Sequence, residues 1–479
     1  MLILLLTLAL PAIILPVYGA ARKSVSRDRL SAYIAIASLL LALAETPFEL
    51  FFGPHGIWYY PTSLLSFDMI SFFFSITIII VSLMAAIGSI STMETDKNSS
   101  IYYSLILFTV IGMVLVSSTT DLLFLLVSWE LMTVPTFVLV ALKKRDRLSS
   151  EASMKYFLAA ALSAALILFG LSIAYGLTGS TSFSSIIYAF EHSSRQQLPA
   201  FLLTASLLAS GFAVKMALAP FHFWLPDALQ GTFPQIGALL AAGSKKAGFA
   251  AALRIFVSLL ASQQFIAFGL SWQLALGIVA AVTITWGNIA ALTQKKVSRM
   301  LAYSSIAQAG YITIGLAVQG TPGAAIGIVG LLLHVLFHGV MKGSAFVSIA
   351  NMDDDLGLLN GLYKRAPGTA LGFTISLFAL AGMPPLNGFW SKLFLFIAAV
   401  QAGMSWLAAV ALINSAIALA YYSYLAKRVY FEQPADTGRV QQPEKTDVLL
   451  VLAFAAIFII ATGLFPAPVL NPILSFLGL

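Results

Sequence analysis

The 479-residue sequence contains no cysteine, and only 9% of its residues are charged. The absence of cysteine excludes disulfides, thiolate metal sites, cysteine-ligated iron–sulfur clusters and a catalytic cysteine within this sequence. Soluble globular proteins carry about 25% charged residues, whereas 59% of the residues here are hydrophobic. The composition therefore excludes a soluble enzyme, a disordered chain and a secreted disulfide scaffold, and it indicates a membrane protein.

Long apolar runs, rather than ten-residue alternation, predict transmembrane helices of about 20 residues each. We therefore predict an all-α, polytopic membrane protein with about 14 transmembrane helices. The predicted segments, in order, are 1–19, 28–44, 65–91, 101–119, 121–142, 151–177, 199–228, 234–260, 271–293, 299–318, 322–350, 370–399, 402–428 and 447–470.

The basic residues are unevenly distributed between the connections that join these segments. Connections after odd-numbered segments hold 18 of the 26 Lys and Arg residues, and connections after even-numbered segments hold one, Arg195. Because cytoplasmic loops are enriched in Lys and Arg, both termini are predicted on the outer side of the cell membrane. The same bias accounts for the net charge of +7 without a nucleic-acid partner. The 18 residues are Arg22, Lys23, Arg27, Arg29, Lys97, Lys143, Lys144, Arg145, Arg147, Lys295, Lys296, Arg299, Lys364, Arg365, Lys427, Arg428, Arg439 and Lys445.

Seven basic residues remain inside the predicted helices. Lys155 and Arg254 lie near helix ends, where long side chains can reach the membrane surface. The other five lie deeper, where each charge costs at least about 2.5 kcal/mol, which is a heavy cost for a purely structural protein. These five are Lys215, Lys245, Lys246, Lys342 and Lys392.

Glu130 lies in the middle of its predicted helix, and Asp68 is the other acidic residue within the helices. An ionised glutamate at that depth needs a cationic partner, and the buried lysines supply candidates. A structural ion pair that locks two helices is the alternative. That alternative would explain one lysine and not several.

His334, His338 and Lys342 follow one another at four-residue intervals in an apolar segment, so they share one helix face. Because imidazole titrates near neutrality, the three side chains form a ladder of groups that can hold or pass a proton. Two histidines four residues apart can also bind a metal ion, but no acidic or cysteine ligand shares this face. A buried histidine pair with satisfied hydrogen bonds is a further alternative.

Prolines break two predicted segments close to a lysine. Segment 7 has Lys215 ahead of Pro220, and segment 12 has Pro384 and Pro385 ahead of Lys392. Broken helices at mid-membrane ion sites are typical of transporters. Because the two breaks lie five segments apart, we predict two inverted five-helix repeats, segments 4–8 and 9–13. The predicted division is N-terminal helices at 1–100, a first repeat at 101–260, a second repeat at 271–428 and a C-terminal helix at 447–479.

Three sequence motifs stand out within the predicted helices. They are Trp129-Glu130-Leu131-Met132, Lys215 with Pro220-Phe221-His222-Phe223-Trp224-Leu225-Pro226-Asp227-Ala228, and Leu301-Ala302-Tyr303-Ser304-Ser305-Ile306. Together they resemble the antiporter-like subunits of respiratory complex I, a family that also includes Mrp-type Na⁺/H⁺ antiporter subunits and the membrane arms of energy-converting hydrogenases. The resemblance runs from about Asp68 to Lys392, and it implies a proton channel of two inverted half-channels joined by a central hydrophilic axis.

The resemblance also implies a role for each site residue. It suggests Glu130 paired with Lys215, a central lysine at Lys246, a relay at His334, His338 and Lys342, and an exit lysine at Lys392. Two features depart from the family pattern. Many members have histidine where this chain has Leu229, which affects proton entry, and Lys245 is an alternative to its neighbour Lys246.

The implied function is a proton-translocating membrane subunit of a multi-subunit, redox-driven ion pump. Such a chain is a translocase subunit with no redox centre of its own, and we expect no cofactor and no metal ion. Its expected partners are other membrane subunits, a peripheral arm that carries iron–sulfur proteins, and protons. The alternative is an Mrp-type antiporter subunit that exchanges Na⁺ for H⁺. A membrane scaffold with inert ion pairs is a third hypothesis, which the buried lysines disfavour.

Overall fold

The computed structural model describes residues 1–21, 28–52, 64–143, 146–260, 271–352, 354–434 and 443–479. Within these ranges the chain is helical, with isolated β-bridges and no strand. The predicted all-α fold class is therefore confirmed. Six of the basic connection residues lie outside the described ranges: Arg22, Lys23, Arg27, Lys144, Arg145 and Arg439.

The α-helices are numbered in chain order. They are α1 (Leu2–Ala21), α2 (Leu30–Phe52), α3 (Met69–Ile87), α4 (Ile90–Met93), α5 (Ser99–Ser118), α6 (Leu122–Val140), α7 (Arg147–Thr178), α8 (Phe183–Glu191), α9 (Leu198–Met216), α10 (Trp224–Gly231), α11 (Pro234–Ala238), α12 (Lys245–Leu260), α13 (Trp272–Leu292), α14 (Val297–Ala317), α15 (Ala324–Val347), α16 (Leu362–Arg365), α17 (Pro367–Ala381), α18 (Asn387–Gln401), α19 (Ser405–Phe431), α20 (Thr446–Leu464) and α21 (Ala467–Leu477).

Among the described residues, eleven helices are long and apolar enough to cross a membrane. Predicted segments 8, 10 and 12 are not among them. Segment 8 is divided by a π-helical turn, Leu239–Ser244, and segment 12 is divided into α17 and α18. Segment 10 corresponds to α14, which carries several polar residues. The number of fourteen crossings therefore stays a prediction.

Both predicted helix breaks are present. α9 and α10 are separated near Pro220, and α17 and α18 are separated near Pro384. Each first half ends in a left-handed residue, Ala217 with a φ of 55° or Gly382 with a φ of 89°. Glycine adopts this conformation readily, whereas alanine pays about 1–2 kcal/mol for it. The predicted interruption of segments 7 and 12 is confirmed.

Ala217 is fully buried at the first break, so its backbone conformation gives a local test. We expect Ala217→Val to destabilise the protein by about 2 kcal/mol or more, because a branched side chain tolerates positive φ poorly. The free energy of unfolding of Ala217→Gly should stay within about 1 kcal/mol of that of the parent protein. Thermal unfolding of the purified protein measures both effects. Ala213→Val, one turn earlier within α9, is the matched control and should lower the stability less than Ala217→Val does.

The connections cluster at two ends of the helical bundle. Those after odd-numbered predicted segments hydrogen-bond to one another, and those after even-numbered segments do the same at the other end. The odd-end pairs are Asp28–Glu94, Asn351–Lys445 and Lys295–Leu356, and the even-end pairs are Ser66–Ser118 and Leu122–Thr181.

α15 lies at the centre of the bundle and packs against α3, α14, α17, α18 and α20. From Val329 to Val347 every residue of this helix is buried. Gly330 allows close contact with α18, because a side chain there would meet the backbone nitrogen of Leu395 at 2.8 Å. A polar side chain on this part of α15 therefore faces protein and not lipid.

Candidate functional site

Lys215 lies in the last turn of α9 and is 3% exposed. Its ammonium donates hydrogen bonds to the Tyr156 hydroxyl at 2.7 Å and to Thr133 Oγ1 at 3.2 Å. Tyr156 is held by stacking on Trp224, with 4.7 Å between ring centroids. A cation at the C-terminal end of a helix is also stabilised by the helix dipole. Neutral groups from α6 and α7, together with the end of α9, therefore hold Lys215.

Glu130 is half-buried on α6, one turn before Thr133. Its Oε1 is buried and has no hydrogen-bond partner among the described residues. Lys215 is the cation whose charge acts on this carboxylate, but within the described ranges the two groups form no direct ion pair. The structure therefore brings Glu130 and Lys215 to one site without joining them, and their pairing stays a prediction.

Lys245 and Lys246 are both buried, with 2% and 1% exposure, just after the π-helical turn. Lys245 donates to the backbone oxygen of Ser305 at 2.7 Å and to its Oγ at 3.2 Å, so it faces α14. The charge of Lys246 acts on His334 and His338, and the charge of Lys245 acts on His338 and Lys342, so both lysines lie near the polar groups of α15. Successive helical residues face about 100° apart, which is consistent with only Lys245 forming a hydrogen bond to Ser305 in the described structure.

The three predicted relay residues lie fully inside the protein along α15. The rings of His334 and His338 stack at 5.8 Å between centroids. His338 has no hydrogen-bond partner at either ring nitrogen among the described residues. Lys342 donates to the Leu301 carbonyl at 3.2 Å and to Ser304 Oγ.

His334 connects this helix to the second break. Its Nε2 lies 2.9 Å from Gln308 Oε1, and its Nδ1 lies 2.9 Å from Ser391 Oγ. Lys392, the next residue of α18, donates to the last carbonyls of α17, at 3.1 Å to Leu380 and 2.8 Å to Ala381.

Sequence reasoning missed the neutral groups that hold these side chains, namely Thr133, Tyr156, Ser305, Gln308 and Ser391. One signal was available, because a hydroxyl or amide in an apolar segment needs a hydrogen-bond partner. α14 carries Ser304, Ser305 and Gln308 within two turns. That density of polar groups could have marked α14 as part of the site.

The five buried lysines share one property: none of them forms an ion pair with a carboxylate among the described residues. The hydrogen bonds of Lys215, Lys245, Lys342 and Lys392 go to hydroxyl or backbone carbonyl oxygens. Carboxylate pairs occur elsewhere in the described part of the chain. They include Arg254–Asp68 at 2.8 Å, Lys155–Asp227 at 2.7 Å and Arg299–Asp227 at 2.5 Å.

Asp227 belongs to one of the sequence motifs, and the structure assigns it a structural position. Its two carboxylate oxygens accept separately from Lys155 of α7 and Arg299 of α14. Asp227 itself lies on α10, the half-helix that follows the first break. This cluster therefore ties the broken helix to helices on both sides.

Two broken helices and a buried set of protonatable groups between them define an ion-translocating membrane protein. The family described as "NADH:quinone oxidoreductase/Mrp antiporter, TM" matches residues 118–418. The chain belongs to this family, as the sequence motifs predicted.

Two curated relatives support the assignment. F(420)H(2) dehydrogenase subunit N of Methanosarcina mazei is 42% identical over 419 residues, which cover 84% of this chain and 82% of the relative. NADH-quinone oxidoreductase subunit N of Trichlorobacter lovleyi is 35% identical over 485 residues, which cover 97% and 96%.

Two solved structures have the same fold. A chain of respiratory complex I from Thermus thermophilus with bound aureothin matches with a TM-score of 0.80 and 30% identity over 98% of both chains. A chain of the Mrp complex from Dietzia sp. DQ12-45-1b matches with a TM-score of 0.84 over 99% of this chain and 96% of that chain. Its identity is 22%, so this second likeness shows the fold alone.

Proposed function

We propose that this chain is the proton-translocating, antiporter-like membrane subunit of a multi-subunit, redox-driven ion pump. The observation that carries the proposal is the set of buried lysines held by neutral acceptors. A lysine locked to a carboxylate is a structural element that resists change, because removing either charge leaves the other unpaired. A buried lysine on hydroxyl and carbonyl oxygens can lose its proton without leaving such a charge behind.

The proposed path begins at Glu130 and Lys215. The charges of Glu130 and Lys215 interact across this site, and a movement or neutralisation of Glu130 is the proposed trigger for proton transfer from Lys215. The proton then passes by way of Lys246 to the α15 groups His334, His338 and Lys342. Lys392 is the exit group, from which the proton leaves the protein. Moving one charge against 100 mV requires about 2.3 kcal/mol. In this proposal that energy comes from partner subunits.

The two breaks support the proposed inverted repeats, segments 4–8 at 101–260 and segments 9–13 at 271–428. At each break an ammonium lies at the C-terminal end of the first half-helix. Lys215 belongs to that first half, α9. Lys392 belongs to the second half, α18, and reaches back to the carbonyls of α17. The same electrostatic arrangement is thus built twice by different residues.

The sidedness of the connections supports the proposed orientation. The odd-numbered connections meet at one end of the bundle, and they carry most of the basic residues outside the helices. We assign that end to the cytoplasm by the preference of Lys and Arg for cytoplasmic loops. Both termini would then face the outer side of the cell membrane.

An Mrp-type Na⁺/H⁺ antiporter subunit is the second candidate function. The likeness to the Dietzia Mrp complex, at 22% identity, is a likeness of fold. Relatives at 42% and 35% identity are named as subunits of F(420)H(2) dehydrogenase and NADH-quinone oxidoreductase. These names favour a redox-driven complex, in which other membrane subunits and a peripheral arm with iron–sulfur proteins are the partners.

Reconstitution of the purified complex tests the proposal. Electron transfer in proteoliposomes should acidify one side of the membrane without added Na⁺, and a protonophore should abolish the gradient. Lys342→Met should lower this acidification about tenfold, because it removes a protonatable group from the centre of the relay.

Lys364→Met is the matched control, since Lys364 is exposed in the short helix α16 and lies outside the relay. Its acidification should equal that of the parent complex. Acidification that requires Na⁺, or purification without any redox subunit, would favour the Mrp-type function. Normal coupled acidification by an assembled Lys342→Met complex would contradict the relay.

A further inference from the structure

The hydrogen bonds of Gln308 determine which nitrogen of His334 carries hydrogen. Gln308 Nε2 lies 3.0 Å from the carbonyl of Leu380, which can only accept. The amide NH₂ must therefore face Leu380, and the amide oxygen must face His334. Because that oxygen lies 2.9 Å from His334 Nε2 and can only accept, Nε2 carries a hydrogen. Gln308 is 1% exposed, so no bulk water competes for these bonds.

The other nitrogen, Nδ1, faces a group that can either donate or accept. Ser391 Oγ lies 2.9 Å from Nδ1 and 3.2 Å from the carbonyl of Gly388 in its own helix. When His334 is neutral, the serine hydroxyl donates to Nδ1. When His334 is charged, Nδ1–H donates to Oγ, and the hydroxyl hydrogen turns to Gly388. Both protonation states of His334 are thus satisfied by rotation of one hydroxyl.

We propose that Gln308 and Ser391 are positioning residues that confine proton exchange of His334 to its Nδ1 side. The inference rests on the proposed function, and within the relay it makes His334 a group that takes up and returns its proton on one side. Ser391 lies on α18 beside Lys392, so exchange at Nδ1 occurs on the side of the second helix break. Gln308 keeps the Nε2 proton fixed.

The proton step balances through the hydroxyl. The Nδ1–H bond of charged His334 breaks as a bond forms between that proton and Ser391 Oγ. The hydroxyl hydrogen that pointed at Gly388 leaves as a proton to water or to a neutral Lys392 amine. No electron moves, and Ser391 ends with one hydrogen as it began.

The charged and titratable groups that face His334 come from four helices. They are Lys246 of α12, Tyr311 of α14, His338 of α15 and Lys392 of α18. None of them hydrogen-bonds to a ring nitrogen of His334 in the described structure; Gln308 and Ser391 occupy both. A serine in a membrane helix often donates a hydrogen bond to a carbonyl of its own helix, as Ser391 does to Gly388. That common pattern does not explain the shorter hydrogen bond between Ser391 Oγ and His334 Nδ1.

Nitrogen NMR of the whole complex tests the assignment directly. The complex is labelled with ¹⁵N-histidine, reconstituted in lipid and compared with a His334→Gln complex to identify the His334 signals. At a pH where His334 is neutral, Nε2 should carry the hydrogen and Nδ1 should not. Gln308→Leu should lose this preference, whereas Gln308→Glu should keep it, because a carboxylate also accepts from Nε2. A neutral His334 with its hydrogen on Nδ1 in the parent complex would overturn the proposal.

Translocation supplies the second readout. Ser391→Ala should lower coupled acidification about tenfold, and Ser391→Thr, which retains the hydroxyl, should restore it. Ser376→Ala is the control, because the Ser376 hydroxyl bonds to Ser344 at 2.6 Å, away from His334. An assembled Ser391→Ala complex with normal acidification would overturn the role of Ser391. Absence of acidification in the parent complex would contradict the proposed function instead, and the NMR assignment would still be measurable.

Discussion

Replacing Glu130 with glutamine is expected to lower redox-coupled proton translocation about tenfold or more, with assembly of the complex preserved. Glutamine has nearly the same shape, so packing around α6 should survive. The change removes the negative charge that acts on Lys215. A tenfold loss corresponds to about 1.4 kcal/mol, which is a modest fraction of the interaction between two charges inside a protein. The measurement is acidification per electron pair in proteoliposomes.

Glu432→Gln is the matched control. Glu432 lies at the end of α19, where it pairs with Lys427 at 3.0 Å on the surface. Surface pairs of this kind contribute little, so this variant should translocate normally. If the Glu130→Gln complex assembles and also translocates normally, Glu130 has a structural role, and the relay must begin elsewhere.

The geometry around Glu130 makes a further distinction possible. Lys215 bonds to Thr133 and Tyr156 and not to Glu130 in the described structure. Thr133 and Glu130 lie three residues apart on α6, so they share a face. A movement of the lysine side chain from Thr133 toward Glu130 would therefore exchange a neutral acceptor for a charged one. Such an exchange is the kind of step through which a partner could control proton release.

The sequence was sufficient to predict the fold class, the two broken helices and the presence of lysines within long apolar segments, which the structure buries inside the protein. These features depend on runs of apolar residues, on proline and on the rarity of charge, all of which are local properties. The division of segment 8 by a π-helical turn, Leu239–Ser244, was not predicted, because its one irregular feature, Gly243-Ser244, is a weak signal where glycine is frequent in membrane helices.

The acceptors of the lysines could not be predicted by periodicity. Lys215 bonds to residues 59 and 82 positions away, and Lys245 bonds to a residue 60 positions away. Helical periodicity reports which residues share a face, but it does not report which helix lies opposite. The Glu130–Lys215 pair was implied by the family resemblance, and the need of a buried carboxylate for a cationic partner does not exclude a hydroxyl as the nearer acceptor for Lys215.

Lys246→Ala is expected to abolish most coupled translocation, whereas Lys245→Ala should have a much smaller effect on it. Lys246 acts electrostatically on both relay histidines of α15, whereas Lys245 acts on His338 and not on His334. Lys245 is directed toward α14, where Ser305 accepts two hydrogen bonds from it. Loss of the amine at Lys246 interrupts the proposed relay between Lys215 and α15, because a proton moves only between groups joined by hydrogen bonds or bridging water.

The two variants form a matched pair, because the residues are adjacent, equally buried and identical in type. We expect a loss of about tenfold or more in acidification for Lys246→Ala. For Lys245→Ala we expect near-normal acidification and a lower thermal stability, since the Ser305 oxygens lose a buried donor. Equal losses for both variants would place both lysines in the relay. A larger loss for Lys245→Ala would assign the central position to Lys245, reached through Ser305 and α14 and not through the histidines of α15.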